Sequence, residues 1–217
     1  YLNKVIIYNL IMSEHKNQFE HKIILVTGST QGVGAETAKL FALRGAKGIV
    51  ICGRSEDKGN LVKEEIEKIG SECFFVKTNL ENLDDCKNLV AKTDNYFGRI
   101  DTLVNCAGYT ERGTILSTTP QLFDKMFNVN IRAPFFLIQD TIKIMRRDKI
   151  KGTIGVVATI AAHSGMPFIA PYSASKGALV VLVKNLGNSL ARDQIRINAL
   201  NIGWTDTPGE DEIQKKH

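Results

Sequence analysis

Cysteine, histidine and tryptophan are scarce in this chain of 217 residues, at four, four and one. Cys52, Cys73, Cys86 and Cys106 include no C-x-x-C pair, and His15, His21, His163 and His217 do not cluster with them. Neither a metal site nor a disulfide framework is therefore expected. Small buried thiols in a reducing cytoplasm fit instead. Long apolar runs are missing too. Residues 5–12 (VIIYNLIM) are too few to span a bilayer, and no small-residue cleavage site follows them. No run of five or more basic residues occurs, so the net charge of +5 reads as a solvated surface that weakly favours anionic ligands. It does not read as a nucleic-acid face. Linkers, repeats and low-complexity segments are lacking. With 43% hydrophobic and 24% charged residues, the composition excludes disorder and collagen.

What is present suits a single domain long enough to bury a sizeable core. Met12 opens a polar stretch, MSEHKNQFEHK, ahead of the first strand pattern. Residues 1–20 are therefore read as an N-terminal extension, expected to be poorly ordered, and residues 21–217 as the domain. The final GEDEIQKKH closes no element, so the domain is read as incomplete at its C-terminal end.

Short, unalternated apolar runs lie at 22–27, 48–52, 73–77, 102–105, 153–158 and 195–200. Such runs fit parallel strands covered on both faces. Helical patterns separate them. In 55–70, Val62, Ile66 and Ile69 share a face and Gly70 is a natural stop. In 82–97, Leu83, Cys86 and Val90 do the same. Residues 120–147 and 172–192 read as long helices, the first kinked or reset by Pro134. Strict alternation predicts an α/β fold: a doubly wound parallel sheet, Rossmann-like, in three αβα layers. Ligands of such sheets sit at the carboxyl ends of the strands, near the switch in strand order.

Directly after the first strand pattern comes Thr27-Gly28-Ser29-Thr30-Gln31-Gly32-Val33-Gly34. Gly28 permits a sharp turn, Gly32 a close backbone approach to a pyrophosphate, and Gly34 tight helix–strand packing. The following helix offers free N–H groups to phosphates. A carboxylate at the end of the second strand would hold a ribose 2′-hydroxyl; Arg54-Ser55 stands there instead. Arg54 would meet a 2′-phosphate with a hydroxyl from Ser55, or else is a solvated turn residue. NADP(H) is the favoured cofactor, and NAD stays open. Further on, Tyr172 and Lys176 are four residues apart, on one face of a helix. An ammonium beside a phenol favours the phenolate, which suits a tyrosine to general acid/base work.

The glycine loop and the tyrosine–lysine pair, taken together, make the chain resemble the short-chain dehydrogenase/reductase family from about residue 22 onward. The family's T-G-x-x-x-G-x-G matches Thr27–Gly34. Its N-N-A-G appears as Asn105-Cys106-Ala107-Gly108, its helix asparagine as Asn130, and its Y-x-x-x-K as Tyr172 and Lys176. The resemblance implies hydride transfer at a nicotinamide between NADP(H) and a small alcohol or carbonyl compound. Tyr172 would be the acid/base, Lys176 would bind the nicotinamide ribose, and Asn130 would hold a relay water. Thr159 stands where the family has its substrate-binding serine. Asn79, beside Leu80, replaces an aspartate that faces adenine. Gly203 and Thr207 match the family's segment after the sixth strand, with Ile202 in place of its proline; the Ile202 backbone and the Thr207 hydroxyl would meet the nicotinamide carboxamide or the diphosphate. The family also continues into a seventh strand, which is read as missing here.

The wall of the substrate pocket is expected from Thr110, residues 161–168 and Trp204, and it leaves sugars, polyols, ketoacyl groups and steroids open. His163 would bind a substrate hydroxyl or lie in solvent. The stripe Leu179, Leu182, Leu186 and Leu190 would serve the homodimer or homotetramer usual in the family, or the domain's own core. A dinucleotide-binding sensor or scaffold subunit without efficient catalysis is the alternative function. No nucleic acid, metal or membrane span is expected, and the location is expected to be cytoplasmic.

Overall fold

The computed structural model describes residues 17–207; the expectations about most of the N-terminal extension and about the C-terminal end fall outside them. The strands are β1 (Ile23–Thr27), β2 (Gly48–Gly53), β3 (Glu72–Lys77), β4 (Thr102–Asn105), β5 (Thr153–Thr159) and β6 (Arg196–Ile202). They form one parallel sheet in the order β3-β2-β1-β4-β5-β6. Between them run α1 (Gly32–Leu43), α2 (Glu56–Ile69), α3 (Leu83–Phe97), α4 (Pro120–Phe127), α5 (Ala133–Arg147), the short α6 (Ala161–Ser164) and α7 (Ala170–Ser189). This is the doubly wound fold expected, with its switch between β1 and β4.

Every residue of β1 is buried, because helices cover both faces of the sheet. On one face, Ile24, Val26, Ile49 and Ile51 pack against Ala35, Ala38, Val62 and Ile66 of α1 and α2. On the other, Leu25, Leu103 and Ile154 pack against Leu89, Leu137 and Leu179 of α3, α5 and α7. Each fully buried valine, leucine or isoleucine among them stabilises by about 1.5–3 kcal/mol. β6 departs from the expected double coverage. Ile197 is buried, while Arg196, Asn198 and Leu200 are exposed, so one face of this edge strand is open among the described residues. At the opposite end of the strands, the buried carboxylate of Asp101 accepts from the Ile23 backbone N–H at 2.9 Å and from Arg99 at 2.7 and 3.0 Å.

Caps explain the helix boundaries. Ser55 and Asn82 accept backbone N–H bonds at the starts of α2 and α3, and Gly70 and Gly98 end them in left-handed geometry. The long helix expected over 120–147 is interrupted by a π-turn, Asn128–Arg132. Pro134 has no N–H to give the Asn130 carbonyl four residues back, and Ala133 donates five back, to Asn128. The widened turn falls at Asn130 itself. The expected helix over 172–192 is α7 followed by a 3-10 turn, Ala191–Asp193.

Candidate functional site

The carboxyl ends of β1 to β4 open into a cavity of about 480 Å³. Its base is the glycine loop. Gly28 takes φ +62°, and a Cβ there would lie 2.7 Å from the Cα of Ala107. A Cβ on Gly34 would lie 2.2 Å from the Gly28 carbonyl oxygen, so only glycine lets α1 sit this close to the end of β1. Gln31 enters α1 without a side-chain cap, and the first turn holds no acidic residue. The N-terminus of α1, with its unsatisfied N–H groups, thus faces the cavity with its positive dipole end uncompensated. Thr30, Gln31, Gly32 and Val33 line the cavity with Gly28 and Gly34. Ser29 does not: its buried hydroxyl donates to the Val26 carbonyl at 2.6 Å and accepts from Cys52 N–H at 2.9 Å. Its side chain ties β1 to β2 rather than lining the cavity.

At the far end of this cavity stand Arg54, Ser55 and Lys58. Arg54 makes no hydrogen bond or ion pair among the described residues. Lys58 donates to the Gln31 amide oxygen at 2.7 Å, which lays its ammonium across the mouth between the glycine loop and α2. The Ser55 oxygen accepts from Lys58 N–H at 3.3 Å, leaving its proton to donate. Glu56 turns instead toward Lys77, 3.3 Å away. Asn79 and Leu80 line the same end. The Asn79 amide oxygen already accepts from Glu81 N–H at 3.1 Å, so the acceptor expected of it is partly engaged.

Ala107 and Gly108 line the cavity, with Cys106 beside them. Just beneath lies Lys176: a Cβ on Gly108 would be 3.4 Å from its Nζ and 3.7 Å from Asn130 Oδ1. Lys176 donates to the Val157 carbonyl at 2.9 Å. Burial pulls its pKa from 10.5 down to about 8, against a small opposing pull from Cys106. Burial likewise pushes the Cys106 thiol up to about 11. Asn130 is fully buried. Its amide accepts from Tyr109 N–H at 2.8 Å and donates to the Tyr109 carbonyl at 2.8 Å and to Ser175 at 3.0 Å. That side chain holds the chain at Tyr109 in place. Asn105 lies outside the lining, its buried amide without a hydrogen-bond partner among the described residues.

A second cavity, of about 540 Å³, opens at the ends of β5 and β6 and shares Val33 and Thr207 with the first. Tyr172 and Thr159 line it together, as does Ile202. The Thr159 oxygen accepts from Ala161 N–H at 3.2 Å, so its proton is free to donate into the cavity. The expected wall is present in Thr110, Ala161, Phe168 and Trp204. His163 is exposed and outside the lining, which favours the solvent reading. Of the leucine stripe, Leu179 and Leu190 are in the core, and the half-buried Leu182 and Leu186 pack against it.

Among the lining residues not anticipated are two cations, Lys58 and Arg112. Lys58 had a signal, standing four residues after Arg54 in the first turn of α2. Arg112 had none, because the loop carrying it reaches the second cavity only through tertiary contacts.

The family pattern described as short chain dehydrogenase matches residues 22–217. The chain is 37% identical over 191 residues to an uncharacterized oxidoreductase of Thermotoga maritima, covering 88% of this chain and 74% of that one. It is 32% identical to a glucose 1-dehydrogenase of Gluconobacter oxydans, with 94% and 80% covered. The crystal structure of an actinorhodin polyketide ketoreductase variant with NADPH superposes with a TM-score of 0.85 at 29% identity, covering 90% of this chain and 75% of that one.

Proposed function

The chain belongs to the short-chain dehydrogenase family of NAD(P)-dependent oxidoreductases, and on that premise we propose that it moves a hydride between NADP(H) and a small alcohol or carbonyl compound. The observation that carries this reading is the junction of the two cavities at Val33 and Thr207. One cavity meets an uncapped helix N-terminus, and the other holds the Tyr172 and Thr159 hydroxyls.

The residues present fit a phosphorylated dinucleotide. The N-terminus of α1 offers N–H groups with no competing carboxylate in its first turn, and suits a pyrophosphate. Arg54 and Lys58 offer two positive charges that no carboxylate neutralises among the described residues, and the Ser55 hydroxyl stands between them in sequence. This favours a 2′-phosphate, hence NADP over NAD. Gly32, Asn79, Leu80, Ala107, Gly108 and Thr207 would flank the rest of the molecule, with Ile202 at its nicotinamide end. Bound there, NADP(H) supplies or accepts the hydride.

The chain's own residues do the remaining work. Thr159 donates its hydroxyl proton to the substrate oxygen and so orients it. Tyr172 gives its phenolic proton to that oxygen in reduction and takes one back in oxidation. Lys176, one helical turn on, places a positive charge that stabilises the negative charge developing on the Tyr172 oxygen. Asn130 is a positioning residue: through Tyr109 it fixes the chain beside Gly108, above Lys176. The homodimer or homotetramer usual in the family would form through the exposed sides of α4, α5 and α7, where Phe123, Phe135 and Val181 are exposed. Four free thiols fit a reducing cytoplasm. Among the described residues no helix is long and apolar enough to cross a membrane.

The test is NADPH oxidation with a panel of aliphatic and aromatic ketones and aldehydes. Turnover is expected, and Tyr172→Phe should reduce it by roughly 10²- to 10⁴-fold while NADPH binding is retained. Cofactor binding with no turnover of any compound would favour the sensor or scaffold alternative. Full activity in Tyr172→Phe would remove the assigned acid/base.

A further inference from the structure

Among the described residues the substrate-side cavity is lined by a single charged residue, Arg112, and we propose that it is a carboxylate-binding group. The substrate would then be an apolar carbonyl or alcohol compound that carries a carboxylate remote from its reacting oxygen. This rests on the hydride-transfer reading of the same site.

Three observations carry it. First, the lining pairs the polar reacting end, Thr159 and Tyr172, with apolar walls at Ile160, Met166, Phe168 and Trp204, and among the described residues includes no Asp, Glu or Lys. Second, Arg112 makes no hydrogen bond or ion pair among the described residues. Six of the nine arginines are tied to protein groups; besides Arg112, only Arg54, at the cofactor end, and Arg192, on the 3-10 turn, are not. The adjacent carboxylate, Glu111, is hydrogen-bonded to the Tyr109 hydroxyl. Third, the segment carrying Arg112 is pinned at both ends. Asn130 clamps the Tyr109 backbone. Gly113 donates to the Phe168 carbonyl at 2.8 Å and accepts from Ala170 N–H at 2.9 Å. Arg112 is therefore held beside the Phe168 wall.

A guanidinium offers two parallel N–H groups that match a carboxylate. Arg112 is itself exposed, so the gain comes from that two-point geometry rather than from exclusion of water. A neutral analogue would displace water from the guanidinium and give nothing in return, which discriminates against it.

The experiment uses a reporter already in place. Trp204 is the only tryptophan of the chain and lines this cavity, so its fluorescence reads occupancy without turnover. The protein with NADP+ is titrated with para-acetylbenzoate and with its methyl ester. The acid should bind roughly 10- to 100-fold more tightly, as one charged hydrogen-bonded pair allows. Arg112→Gln should bring the two within about twofold, whereas Arg192→Gln should keep the full difference. With NADPH, the kcat/KM ratio of acid to ester should follow the same pattern. Equal affinities in the unmodified protein, or a preference that survives Arg112→Gln, would overturn the proposal. An acid preference in fluorescence with no reduction of either compound would sink hydride transfer and leave the carboxylate site standing. Reduction of both compounds without preference would sink the carboxylate site alone.

Discussion

Replacing Lys176 by methionine should change the way stability depends on pH. The ammonium is 3% exposed and bonded to one carbonyl, that of Val157. Burial brings its pKa from 10.5 to about 8. Between those values the unfolded chain still holds the proton that the folded chain has released. The unfolded state then binds more protons, so stability rises with pH across the window. A difference of about 2.5 pH units corresponds to about 3 kcal/mol at 1.36 kcal/mol per unit. The four thiols act in the opposite sense. Burial raises Cys52 and Cys73 to about 12, and Cys86 and Cys106 to about 11. The folded chain therefore keeps protons that the unfolded chain loses from about 9 upward, and stability falls. Those thiols are common to both proteins and largely cancel in a difference. The assay is urea unfolding of unmodified protein and Lys176→Met, followed by circular dichroism over this pH range. Below pH 8 the variant should show its largest advantage, or smallest deficit, relative to the unmodified protein. That difference should fall by about 3 kcal/mol by pH 10.5. A difference that stays flat with pH would refute a buried charged lysine.

Gly34→Ala puts a Cβ 2.2 Å from a backbone oxygen that cannot retreat. It should lower stability by about 1–3 kcal/mol and weaken NADPH binding by more than about tenfold. Gly187→Ala in α7 meets nothing within 4 Å and should raise stability by about 0.5–1 kcal/mol; thermal melts and a cofactor titration check both. Asp101→Ala removes the acceptor shared by Ile23 N–H and Arg99. Because Arg99 is half exposed, a loss of about 2–3 kcal/mol is expected in urea unfolding, and a loss under about 0.5 kcal/mol would show that this node is not structural.

What was legible in the sequence is what local chemistry dictates. The α2 segment is readable because its signals lie inside it: a serine cap, apolar spacing and a glycine stop. The glycine loop is readable because tight packing at Gly34 and the turn at Gly28 admit few other residues. Interruption of the long helix was readable at Pro134, but the π-turn just before it, Asn128–Arg132, was not, because it depends on which donor replaces the missing N–H. Ser29 looked like part of the binding loop, and its hydroxyl instead joins β1 to β2, a contact spanning 23 residues. The leucine stripe of α7 has a spacing that suits a core or an interface equally, and only packing places Leu179 in the core. Arg112 was invisible for the same reason, since its loop is placed by Asn130 and Phe168.

The most direct measurement is a fluorescence titration of the protein with NADPH and, side by side, with NADH. Saturable binding at least roughly tenfold tighter for NADPH is expected, with the preference lost when Arg54→Gln and Lys58→Gln are combined. Binding of neither dinucleotide, or a preference for NADH, would contradict it.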